Sequence, residues 1–484
     1  MHTALKVLEK VISKPFQLRS IAYHAPPLPE PVWDCPAQAK SEFFTVGLAK
    51  EDLTPPDLLT HRYYMAGYGF FKPIQGFLNP IYATALWLDD NSGHGGVLLV
   101  SVDCVGIMNN DVEEIRRRLA PFCRITGCRA VHIMSTHCHA SIDTMGFWGP
   151  LPKSGRDKRF FALLFDGIVR AAERAYASRR DGDLYAGSVE TEDLQQDKRL
   201  PEVFENTLTR LRFAPRDGGQ EIYIINFANH PEVLGSHNVQ LSADYVHWLR
   251  EKVKNDCGAE VIYFNGAIGG MITPTTVEGF GESIRSAQVS GERTAQAAMS
   301  IKDERRLSPK IGVISKQFYV EIENTVFALC GVLGVMPRPK FPTGKGRLGV
   351  SMKTEMAYME IDSGSAGDGV HILMVPGELF PELAYGGYLE ADVAAVGGPE
   401  LNPPPLREIA GDPALIIFGL ANDELGYFIP PNDFILDEKL PFLVKTYDHG
   451  GRRHYEETNS TGPKMAQVLA ENFKQIMRIV RQGR

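Results

Sequence analysis

Six short apolar runs, rich in β-branched and aromatic residues, each stop abruptly at polar residues or glycine. This recurrence constrains the fold more than any other feature of the chain. GVLLVSVD ends at Asp103, AVHIMSTHCHA passes into His137 and His139, and EIYIINFANHPE ends at His230. VIYFNGAIGG opens into glycine, HILMVPGELF turns at Glu378, and ALIIFGLANDELGY carries Asn422, Asp423 and Tyr427. Runs of this length bounded by turn residues read as buried strands. Helical periodicity lies between and around them, at 111–119, 159–179, 244–255, 282–301, 381–396 and 464–481. Strand and helix patterns that alternate predict an α/β fold with a mixed, mostly parallel sheet and helices on both faces. In such sheets the carboxyl ends of the strands face a common crevice, so the six polar ends are expected to converge on one site.

The flanking regions read differently. Residues 1–14 have the look of a short amphipathic helix ended by Pro15, and 22–42 are proline-rich, so 1–43 is expected to be an N-terminal extension. Residues 44–484 then form one catalytic domain. Within it, 308–360 carry strand-like runs and the turn RPKFPTGKGRLG, a β-rich excursion or flap. Lys+Arg number 51 against 59 Asp+Glu, and this acidic balance argues against a protein that binds nucleic acid by neutralising phosphates. No stretch reaches the ~18 consecutive apolar residues that span a bilayer, and the N-terminus lacks the apolar core of a secretory signal. Seven scattered cysteines form no disulfide framework, and the expected location is the reducing cytoplasm.

The residues at the strand ends are His137, His139, His230 and Glu378, with Tyr427 or Asp423 beyond. Imidazoles with a carboxylate suit a catalytic Zn²⁺, which takes nitrogen and oxygen ligands and leaves one position open. On an extended segment the two histidines of HxH point to the same side. They are either two ligands, or one ligand and one group that orients it. Cys138 between them points away and reads as structural, as do Cys123 and Cys128. NGAIGG reads as a tight turn bringing backbone amides near substrate, His132 as a core histidine and His247 as a helix-packing residue. His237 is a candidate substrate contact, and Arg199 taken by itself reads as a surface charge.

At these residues the chain resembles the catalytic domain of the neutral/alkaline (non-lysosomal) ceramidase family, from about residue 44 to about 474. The family's THTHS is similar to THCHAS at 136–141, its Asn-x-x-x-x-His segment to NFANHPEVL, and its Ser-Gly-Asp helix entry to SADYVHWL at 242–249. VPGEL, GLANDELGY, HYEETNS and the MAGYG at 65–69 follow the family's pattern as well. The resemblance implies one zinc per chain held by His137, His230, Glu378 and Tyr427. It implies that His139, Arg199 and Tyr455 surround an amide attacked by metal-activated water. Thr273, Asp244 and Trp148 are expected to contact the substrate. Three departures stand out. Thr273 and Met271 replace the family's Ser and Asp, Phe147 and Trp148 add bulk after the HxH, and the chain stops where the family's immunoglobulin-like domain would begin.

The implied activity is zinc-dependent hydrolysis of a linear N-acyl amide, on a small-molecule or lipid-like acyl substrate. A zinc esterase or other carbonyl-directed enzyme, and a catalytically silent binding protein, are the alternatives. Oligomeric state is not legible.

Overall fold

A computed structural model describes residues 6, 7, 9–11, 13–15, 25–277, 279–362 and 369–483. Helical turns occupy 6–7, 9–11 and 13–15, and the remainder of the expected N-terminal helix lies outside the described residues.

Two sheets stack face to face. The larger is built from β1 (Phe44–Asp52), β2 (Tyr82–Asp89), β3 (Val97–Val102), β4 (Ala130–Ser135), β5 (Arg180–Glu190), β6 (Thr207–Pro215), β7 (Ile222–Phe227) and β8 (Glu260–Asn265), in the order β8-β7-β6-β5-β1-β2-β3-β4. Residues Arg305–Arg306 add a short ninth strand on β5. The smaller sheet runs β9 (Ile311–Glu321), β10 (Ser351–Ile361), β11 (Val370–Met374) and β12 (Ile416–Phe418). Residues 308–360 thus contribute the long antiparallel pair β9–β10.

The fold is mixed α/β, as the strand and helix patterns imply. Parallel pairing occurs at the two outer edges of the large sheet, β3 with β4 and β7 with β8, and in the small sheet between β11 and β12. The inner pairs of the large sheet are antiparallel. Connection length is the physical reason. Short loops join β2 to β3 and β6 to β7, whereas helices α1 (Asn109–Thr126) and α3 (Tyr245–Cys257) cross over between the parallel partners of the large sheet.

The helices cover the outer faces of the stacked sheets, because each sheet's inner face is already buried by the other. Phe264 stacks on Phe418 at 4.5 Å between them, among Phe44, Leu86, Phe213, Met359 and Ile372. Helix α1 and α2 (Lys158–Ala177) close over Trp87 and Val100, while α3 and α4 (Ile284–Ser300) close over Tyr223 and Tyr263. A short helix α5 (Thr325–Val332) and the C-terminal α6 (Met465–Gly483) pack with the small sheet, where Phe473 lies 6.3 Å from Tyr358.

Local chemistry sets the helix ends. Asp157 caps α2 by accepting the Arg159 and Phe160 N–H groups, and Ser283 caps α4 through the Ser286 N–H. The helix expected over 381–396 stops at Tyr385, because Gly386 and Gly387 follow with φ of +88° and +87°.

Candidate active site

Parallel strands deliver their carboxyl ends to one side, and the three parallel pairs within the two stacked sheets point theirs at the same place. The loop after β3 brings Val105, that after β4 His137 and His139, and that after β7 His230 and Glu232. The segments after β11 and β12 bring Glu378 and Tyr427. Asn265, at the end of β8, ties these loops together. Its Nδ2 donates to the Thr136 carbonyl at 2.9 Å and the Asn229 carbonyl at 3.0 Å, and its Oδ1 accepts the Asn229 N–H at 3.0 Å. Beneath β3, Arg250 grips both oxygens of Asp103, at 2.6 and 2.9 Å.

The three histidines converge, with ligand nitrogens within 4.8 Å of one another. Nδ1 of His137 donates to the Val105 carbonyl at 2.7 Å, and Nδ1 of His230 to the Ile272 carbonyl at 2.6 Å. That fixes each ring with Nε2 facing Glu378 Oε2, 3.3 Å from both. Glu378 and Tyr427 are register partners in a two-residue parallel bridge. His139 has no hydrogen-bond partner on either ring nitrogen among the described residues, and Nδ1 lies 3.7 Å from Glu232 Oε2. His137 is not extended as the HxH reading assumed. It sits at φ +66°, and Met271 across the site is at +69°. Backbone strain of this kind in non-glycine residues persists only where surroundings enforce it.

Electrostatics follow from burial and charge. Burial, then the charge of His137, pushes the His139 imidazole down to about 3, so it is neutral. Burial works against ionising Glu378, yet His137 and His230 hold its carboxyl well below the ordinary range. Glu232 is likewise opposed by burial but drawn down to about 2 by His230, His139 and the Tyr68 hydroxyl, which hydrogen-bonds it. Oriented imidazoles with backbone acceptors behind them, one anionic carboxylate and an orphaned ring are the donor chemistry a metal ion takes. The site is compatible with a metal ion on these observations.

This floor closes one end of a cavity of about 530 Å³. Its walls are largely apolar: Met145, Phe147, Trp148, Phe327, Met336 and Phe442 among others. Tyr68, Glu232, Met271 and Glu424 also line it, and the strand-end reading did not single them out as site residues. The MAGYG motif and the HPE tripeptide after β7 were the available signals for the first two.

The expected residues divide. Tyr455 and Trp148 line the cavity with His137, His139, Glu378 and Tyr427. Arg199, expected beside the reacting group, does not line the cavity. It is buried in an ion-pair cluster, 2.8 Å from Glu456, 3.0 Å from Asp433 and 3.1 Å from Glu457, and faces the Phe380 ring. Asp244 is the N-cap of α3 and accepts the N–H groups of Tyr245, Val233 and Leu234, so it shapes the His230 loop from behind. Thr273 pairs with Gln196 outside the cavity, and Met271 takes the place at its wall. His132 is a core histidine held by Asn422 at 3.0 Å, and buried Cys138 donates to the Ser242 carbonyl. His237 is exposed and His247 packs edge-on against Trp248.

Beside the Arg199 cluster, burial pushes the Glu382 carboxyl up to about 8. The folded state therefore holds this proton after the unfolded chain has lost it near 4.5, and stability falls as pH rises through that window. Glu382→Gln is expected to remove this slope. Thermal melts should show the variant gaining on the wild type between about pH 5 and pH 8, by on the order of a few kcal/mol.

A mixed α/β fold with clustered imidazoles at the strand ends, under an apolar cavity, defines a recognisable architecture. It is the fold of the neutral ceramidases. The crystal structure of neutral ceramidase from Pseudomonas aeruginosa superposes with a TM-score of 0.64 at 16% identity, over 91% of this chain and 75% of that one. A structure described as ceramidase complexed with C2 gives 0.65 at 15% identity, over 91% and 76%. No protein-family model and no curated protein matches the sequence. Among the described residues, no helix is long and apolar enough to cross a membrane.

Proposed function

We propose that this protein is a zinc-dependent hydrolase that cleaves the C–N bond of an N-acyl amide with a long apolar chain. The observation that carries the reading is the join of a polar floor, His137–His139–His230–Glu378–Tyr427, to an apolar-walled cavity within one continuous space. The shared fold of the neutral ceramidases supports it.

His137, His230, Glu378 and Tyr427 would hold the metal. Bound zinc supplies a Lewis acid for the amide carbonyl and brings the pKa of a water toward ~7. The chain's own residues do the rest. His139, neutral and free on both nitrogens, accepts a proton from the attacking water and passes it to the departing amine. Glu232 sits behind His139 and stabilises the imidazolium while it carries that proton. Tyr455 keeps its phenolic proton, since burial raises its hydroxyl, and can donate to the oxygen that gains charge, while the Tyr68 proton is given to Glu232 and steadies that carboxylate. The apolar walls take the acyl chain and exclude bulk water.

The test is release of fatty acid and amine from a series of N-acyl amides and matching esters by zinc-loaded protein. Amide cleavage should rise about fourfold per added methylene, at ~0.8 kcal/mol each, until the cavity is full. Phe327→Ala should move that optimum to longer chains. Cleavage of esters alone would replace this reading with an esterase.

A further inference from the structure

One buried carboxyl in the cavity wall has no part in the reaction above. Glu424 lines the cavity but is only 6% exposed. Its Oε1 accepts the Gly426 N–H at 2.8 Å, and its Oε2 has no hydrogen-bond partner among the described residues. An unsatisfied buried acid costs stability unless something completes it.

The surroundings are built to hold this side chain. Buried Arg338 grips both oxygens of Asp423 and donates to the Glu424 carbonyl at 2.9 Å. Asp423 in turn accepts the N–H groups of Glu424 at 2.8 Å and Asn109 at 2.9 Å. On the other side Gly106 leaves the space that Glu424 fills, for a Cβ there would meet Glu424 Cγ at 2.6 Å and Cβ at 2.7 Å. A rigid mount and a matching recess keep a carboxyl in place whose second oxygen meets no protein donor.

Charge and chemistry indicate what completes it. Glu232, Glu378 and Glu424 line the cavity, and none of its described lining residues is Lys or Arg. Aromatic rings are plentiful there, and their faces favour a cation over an anion. An apolar acyl chain would leave this acid unpaired, so the complementary group belongs to the other half of the substrate.

We propose that Glu424 is a specificity-determining residue that takes a protonated amine on the non-acyl half of the substrate, so that the preferred substrates are long-chain N-acyl diamines. This rests on the amide-hydrolase reading above and names its substrate class. Burial pushes the Glu424 carboxyl up, and an arriving ammonium supplies the donor that its Oε2 lacks.

Two measurements on the zinc-loaded full chain test it. The first compares kcat/KM for N-dodecanoyl-1,3-diaminopropane with that for the isosteric neutral N-butyl dodecanamide. Wild type should favour the diamine at least tenfold, and Glu424→Gln should reduce that ratio at least tenfold, mainly through KM. The second is calorimetric binding of dodecylammonium below its micellar concentration, which needs no turnover and should weaken at least tenfold in Glu424→Gln. Gly106→Ala, which displaces the carboxyl without removing it, should reproduce both losses. Equal ammonium affinity in wild type and Glu424→Gln overturns the proposal, as does a wild type without preference for the diamine. Ammonium binding that depends on Glu424, with neither amide cleaved, upholds the cation site and overturns the hydrolase reading instead.

Discussion

Glu378→Ala, prepared beside His137→Ala, is expected to lose the metal and with it roughly 10³-fold or more of the amide-hydrolase activity. Removing a group that merely orients a ligand typically costs 10–100-fold. Glu378 is placed to do more, because its Oε2 stands 3.3 Å from the Nε2 atoms of both His137 and His230. Without the ligand, two buried imidazoles held by the Val105 and Ile272 carbonyls face each other with no anion between them. Plasma mass spectrometry on purified protein should find about one zinc per wild-type chain and a small fraction of that in either variant. Folded variants that keep full zinc and full activity would remove Glu378 and His137 from the ligand set. A wild-type protein that takes up no zinc on reconstitution would end the hydrolase reading altogether.

Arg199→Ala should destabilise the fold by about 3–5 kcal/mol, the range for removing one partner of a buried ion cluster. The guanidinium serves Asp433, Glu456 and Glu457 at once, so its loss leaves three buried acids short of a cation, with Arg452 beside Asp433 and His454 beside Glu457 compensating in part. The pH dependence should report the same thing. Burial opposes ionisation of Glu457, but Arg199 holds its carboxyl below the ordinary range, so the wild type carries this stability in full above about pH 5. The wild type loses it as pH falls through the depressed value. In the variant Glu457 loses that hold and titrates higher, and the gap between the two proteins should narrow toward acid pH. Denaturant midpoints read this directly, and kcat on the remaining folded fraction separates the two roles. A collapse of kcat with stability unchanged would return Arg199 to the reacting group.

How much of this was readable in the chain depends on the range over which each residue acts. The strand ends were legible because burial is a local demand. β4, β7 and β11 are largely apolar because they are covered on both sides, so the first titratable residues after them, His137, His230 and Glu378, stand out. The mixed α/β class was legible for the same reason. Sheet pairing was less so, since β5 and β6 pair antiparallel through a connection that carries no periodicity of its own. The stacking of a second sheet on the first, which sends α1 to α4 to the outer face of the large sheet, depends on strands more than 250 residues from β1.

Tyr68, Glu232 and Glu424 are cavity residues only because loops from distant strands meet around them. Arg199 is the clearest case of the limit. The residues before it, Gln195 to Lys198, are polar and its side-chain partners lie 234 to 258 residues away, so its place in the chain does not distinguish a buried hub from a solvated charge. The sequence by itself determined most of the helices, the strand-end chemistry and the likeness to the neutral ceramidases, because these depend on periodicity and on residue type. Tertiary structure alone decided which acids and bases are buried together. Their charge states and partners arise from desolvation and from contacts between segments far apart in the chain.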